Sequence, residues 1–163
     1  RQLTAFGDMA LVAFIAAMPF AVAGAYYDLK TMEIPHWVAP AAAVVFAAIV
    51  FSGLPMGEAI NRILGGLFVL FVGFLLHMAR AMGGGDVKLA AAFAILVASR
   101  DAAVVLVILS VCSLVNMGVI WGLRRTSLAT GEWRVWSDKG FPYAVALGQA
   151  LMIYLALVLF LGA

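Results

Sequence analysis

The strongest constraint on this chain is a succession of apolar stretches, each close to the length that crosses a membrane. A spanning helix needs about 20 predominantly apolar residues, because in lipid every backbone donor and acceptor must be satisfied within the segment. Six stretches approach that description: 9–27, 37–51, 60–82, 87–98, 102–123 and 141–161. The second and fourth are short and are expected to be thinned or partly buried spans. With 66% hydrophobic and 11% charged residues and a mean hydropathy of +1.13, the 163 residues carry too little polar surface to coat a soluble globule. The expected fold is therefore all-α, a polytopic membrane bundle of about six transmembrane helices, two of them short, in one integral membrane domain spanning 1–163. There is no repeat of fixed period and no low-complexity tract. Pro35 and Pro142 stand where the chain enters helices, whereas Pro19 and Pro40, inside the first two spans, are expected to kink them.

Charge placement says more than net charge. A formal +2 is too small and too scattered to point to nucleic acid, which leaves lipid as the first partner. The single cysteine, Cys112, has no second thiol in the chain for a disulfide or a cysteine-based zinc site. The chain begins at Arg1, and its first apolar stretch is too long, and wrongly flanked, for a cleavable signal. Lys30, Arg80, Lys88, Arg124, Arg125, Arg134 and Lys139 fall in loops on one face, against Arg1, Arg62 and Arg100 on the other. The positive-inside rule then puts the richer loops in the cytoplasm and both termini outside. The segment 124–140 is the longest polar stretch and the only one able to form a small extramembrane feature.

Two acids end up on the cytoplasmic side, Asp28 after the first span and Asp86 before the fourth. An Asp at the centre of a span costs roughly 2.5–3.5 kcal/mol on insertion scales, so acids near a membrane need either solvent or a purpose. Asp86 has a simple reading as a cap at the positive end of the following helix. Asp28 has one as a solvated loop residue, although it follows a helix C-terminus, where the dipole disfavours its charge. As a pair they have a third reading. Two adjacent carboxylates resist ionising together, so one keeps a proton while the other serves as a base towards water. Gly83, Gly84 and Gly85 precede Asp86 and read either as a flexible turn or as a place where unusual backbone conformations let a substrate strand approach.

The run Met82-Gly83-Gly84-Gly85-Asp86-Val87-Lys88-Leu89 resembles the GxGD signature of the type IV prepilin peptidases, and Tyr26-Tyr27-Asp28-Leu29-Lys30, continuing to Ile34-Pro35, is similar to that family's first-aspartate segment. Phe141-Pro142-Tyr143-Ala144 resembles its late Pro-Tyr motif. The resemblance implies catalytic roles for Asp28 and Asp86. It also implies substrate-binding or loop-flexibility roles for Gly83, Gly84, Gly85, Lys88, Pro142 and Tyr143. For Lys88 the physical alternative is a side chain that snorkels to the membrane surface. The activity implied is removal of a short basic leader from prepilin or pseudopilin substrates at the cytoplasmic boundary of a bacterial inner membrane, with no cofactor. Lacking the paired-cysteine region of larger members, the chain is most similar to the short peptidases of tight-adherence (Flp-type) pili, and cleavage without N-methylation is expected.

Other chemistries fit less well. His36 and His77 are far apart in sequence and have no third ligand at zinc spacing, so no metal is expected. The serines lack a Gly-x-Ser-Gly-like setting. A non-catalytic alternative stays open, in which the acids serve ion or partner binding in a transporter or pilus-assembly component.

Overall fold

The computed structural model describes residues 2–126, 133–137 and 140–161, so Arg1 and Lys139 of the charge tally lie outside it, as does much of the 124–140 stretch. Seven α-helices follow in order: α1 (Gln2–Thr31), α2 (Val38–Gly53), α3 (Met56–Met78), α4 (Gly84–Ala94), α5 (Ala102–Leu123), α6 (Arg134–Ser137) and α7 (Tyr143–Leu161), with a 3-10 turn at Ser99–Asp101 before α5. No strand occurs among the described residues. Four segments are long and apolar enough to cross a membrane, Met9–Thr31, Met56–Met78, Ser99–Leu123 and Tyr143–Leu161, and α2 is apolar but shorter.

The expectation of about six spans is therefore met only in part. The stretch 87–98 is not one helix, because α4 has 11 residues and stops at Ala94. At 1.5 Å per residue it is about 17 Å long, short of a hydrocarbon core of about 30 Å. Its C-terminal end stays inside the protein, where every free backbone group needs a partner. The amides of Ile95, Leu96 and Val97 turn back to Ala92, Phe93 and Ala94 at 3.1–3.2 Å. The Leu96 carbonyl accepts Nη1 of Arg62 at 2.7 Å, and the Ala98 amide donates to the Tyr154 hydroxyl at 3.2 Å.

Small side chains bring the helices close. On α1 the buried positions Ala10, Ala13, Ala17 and Ala21 recur every three or four residues, which is one face of a helix. That face meets α7, where a Cβ on Gly148 would sit 3.2 Å from the Ala21 methyl. Glycines on α3 do the same against α4: a Cβ on Gly73 would reach within 2.6 Å of Val87, and one on Gly66 within 3.0 Å of the Ala91 carbonyl. The outermost helix, α5, buries only Cys112, and its Asn116 donates to the Gln149 side chain of α7 at 2.8 Å.

Two boundary expectations are corrected. Pro40 falls in the first turn of α2, where no intrahelical donor is lost, so it has no reason to kink the helix. The third stretch ends as a helix at Met78 rather than at residue 82. Arg80 takes a left-handed φ of 59°, and the Ala81 and Arg80 amides bond back to Leu76 and His77 at 2.9 Å, closing the helix.

Candidate active site

The buried stripe of α1 continues through Gly24 to Asp28, one turn further on. Because α1 runs on to Thr31, Asp28 lies inside its last turn rather than in a loop, and it is 3% exposed. That overturns the solvated reading. A Cβ on Gly24 would come 2.9 Å from Leu89 of α4 and 3.7 Å from Ala144 of α7, so the helices converge one turn below the acid. The Ala144 amide donates to Asp28 Oδ2 at 2.8 Å. Ala144 is the second residue of α7, and Pro142, fully buried, leads into that helix. Tyr143 is half-buried, with its ring edge-on to Phe141 at 4.9 Å.

Asp86 is set by the start of α4. The helix begins at Gly84, so the acid sits in the first turn, 9% exposed, instead of preceding the helix. Gly83 occupies the N-cap with φ −66° and ψ 142°, a conformation open to any residue. None of the three motif glycines takes a left-handed φ, so the expected backbone freedom is not what they supply. They supply space. A Cβ on Gly83 would lie 2.7 Å from Asp86 Oδ2, one on Gly85 would lie 3.1 Å from Ile34 Cβ, and one on Gly84 would lie 3.3 Å from the His77 ring. His77 in turn donates from Nδ1 to the Met82 carbonyl at 3.0 Å and pins the glycine turn to the end of α3.

The two acids lie within electrostatic reach of each other. Burial pushes the Asp86 carboxyl from 3.8 up to about 7, the negative charge of Asp28 adds to the shift, and the Gly83 amide opposes it. Asp86 Oδ1 is buried and has no hydrogen-bond partner. Basic side chains at this end of the bundle have partners of their own. Lys30 donates to the Tyr26 hydroxyl at 2.9 Å, Arg134 to the Thr31 carbonyl at 3.2 Å, and Arg124 to the Val135 carbonyl at 2.6 Å.

Lys88 is exposed and, two residues after Asp86, is turned about 200° around the helix from it. It borders an apolar groove of about 220 Å³ between α2 and α3 with Ala91, Ala92 and Ile95 on its floor. Neither acid lines that groove. Among the described residues no group of three His, Cys, Asp or Glu side chains is placed to hold a metal ion.

Sequence reasoning passed over two contributors, Gly24 and the Ala144 amide. The signal for Gly24 was present, since 10, 13, 17, 21, 24 and 28 share one helical face. The amide had no side-chain signature to find.

Compared with known proteins, residues 15–118 match the model of the type IV leader peptidase family, a span that takes in Asp28, the glycine turn and Asp86. A search of curated proteins and one of solved structures each found no match. The match covers well over half the chain and agrees with its helical, membrane-length architecture: the protein belongs to the type IV leader peptidase family, and is a protease of the membrane.

Proposed function

We propose that the chain is a single-domain aspartic endopeptidase that removes the basic leader of prepilin-like substrates at the cytoplasmic face of a bacterial inner membrane, by cleavage alone. The observation that carries this reading is the meeting of Asp28 and Asp86, both buried and within electrostatic reach of each other, from helices far apart in sequence. Such a pair works on one shared proton. An ionised carboxylate takes a proton from water as its oxygen bonds to the peptide carbonyl carbon, and the protonated partner gives its proton to the carbonyl oxygen. The tetrahedral diol then collapses, its C–N bond breaking as the nitrogen takes a proton and the pair returns to its starting state. Orientation is supported by charge: Lys30, Arg80, Lys88, Arg124, Arg125 and Arg134 gather at the acid-bearing end, and Arg62 and Arg100 at the other.

The test is cleavage of a prepilin-like substrate in membranes by the native chain, Asp28→Asn and Asp86→Asn, with folding checked in each. Cleavage by the native chain alone is expected. If both variants cut as well, the dyad reading fails and the ion- or partner-binding role takes its place.

A further inference from the structure

Resting on the dyad reading above, we propose that the first turn of α7 is a positioning element that divides the labour of the pair: its amides hold Asp28 as the proton acceptor and leave Asp86 as the proton carrier.

The two carboxyls are buried alike but bonded differently. Asp28 Oδ2 accepts the Ala144 amide at 2.8 Å, and the Val145 amide also bears on the carboxylate. Both are among the first amides of α7, which have no carbonyl within their own helix to bond, so they favour a negative charge at that end of the helix. Asp86 has only the Gly83 amide, and its Oδ1 is enclosed without a partner. A charge on Asp28 is therefore met by an amide bond of 2.8 Å, whereas one on Asp86 would leave an enclosed oxygen with none. Helix dipoles pull the other way, since Asp28 ends α1 and Asp86 begins α4. A direct hydrogen bond to a charged group outweighs a dipole end, so the amides decide.

At this end of the bundle Lys30 is bonded to Tyr26, Arg134 to Thr31 and Glu33, Arg124 to Val135 and His77 to Met82, while Lys88 faces away on α4. In the reaction, Asp28 takes the water proton as the new C–O bond forms, and Asp86 passes its proton to the carbonyl oxygen. In the collapse, Asp28 returns its proton to the departing nitrogen and Asp86 recovers one from the diol. Pro142 contributes by starting α7 here, with no N–H of its own to compete for the carboxylate.

The experiment is the pH profile of prepilin cleavage, kcat/KM from pH 4 to 9, for the native chain and for Ala144→Pro, which deletes the donating N–H in a first turn that tolerates proline. Because Ala144 is fully buried, a second variant carries lactic acid in place of Ala144, exchanging that one amide for an ester of nearly the same shape. The limbs belong to the pair, and because the deleted amide bonds Asp28, the limb that moves shows whether the first or the second ionisation of the pair is weighted on Asp28. The expected result is that the acid limb moves up by about one pH unit, close to a tenfold loss at pH values below it, while the alkaline limb stays. Movement of the alkaline limb alone overturns the assignment, as does a loss that is uniform across pH with both limbs in place. Full cleavage by Asp28→Asn or Asp86→Asn sinks the underlying dyad instead, so the two failures are distinct.

Discussion

At one end of the bundle Arg62, 6% exposed, gives Nη1 to the Leu96 carbonyl at 2.7 Å and Nη2 to Glu58 at 3.0 Å, leaving only Nε without a partner. Beside it, Tyr154 takes the Ala98 amide and donates to Asp101 Oδ2 at 2.9 Å. At the other end Asp86 is buried almost as deeply, but it faces a second acid and leaves half its carboxylate unbonded. Burying charge is costly in both places. The first cluster uses it to end a short helix inside the protein, and the second keeps two buried carboxyls within electrostatic reach of each other. A fold gains nothing from the second arrangement, which is what the proposed catalytic role asks of that end.

The widest separation between the ends comes from removing the charges. Asp86→Asn is expected to lower cleavage about 10²–10⁴-fold while folding at least as well as the native chain. Arg62→Ala is expected to do the reverse, losing about 3 kcal/mol of stability while keeping the rate per folded molecule within about twofold. Unfolding in detergent alongside substrate cleavage reads both, and a shared pattern would erase the contrast. Gly83→Ala probes the acid end more finely. Its backbone angles accept alanine, so the new methyl acts only by displacing the Asp86 carboxylate, and a loss of rate of about 10²-fold with little change in stability is expected.

The pH dependence of stability sharpens the comparison further. Burial and Asp28 raise the Asp86 carboxyl from 3.8 to about 7, so the folded state holds that proton more tightly than the unfolded chain. The stability this brings is present in full below about pH 4 and is lost as pH rises through about 7. Asp86→Asn should accordingly be more stable than the native chain by about 1–3 kcal/mol at pH 8 and show no gain at pH 4, as thermal unfolding at the two pH values would reveal. The smallest effect concerns the turn that carries the glycines. Arg80 holds a left-handed φ of 59°, and Arg80→Gly is expected to add about 1 kcal/mol without altering cleavage.

Much of the architecture could be read from the residues because lipid imposes simple rules. The fifth stretch coincides with α5, the third and sixth match long helices to within four residues at each end, and the first lies inside the longer α1. The fourth departs because hydropathy registers apolar residues and not what surrounds them: 95–98 is as apolar as α4 but turns, supported by Arg62 and Tyr154 from other helices. The glycines depart for a related reason, since a sequence shows that a Cβ is missing but not which neighbour needs the space.

By itself the sequence determined the membrane class, the helical content and the face of the bundle that carries the basic residues, because each follows from periodicity, length or charge along the chain, and it singled out the two acids as candidates through their motifs. Only the tertiary structure decided that Asp28 is buried in a helix rather than solvated, that α7 supplies its amide partner, that Asp86 leaves an oxygen unbonded and that Lys88 turns away. Those are facts about neighbours, and neighbours from α1, α4 and α7 are set by how closely small side chains let the helices pack.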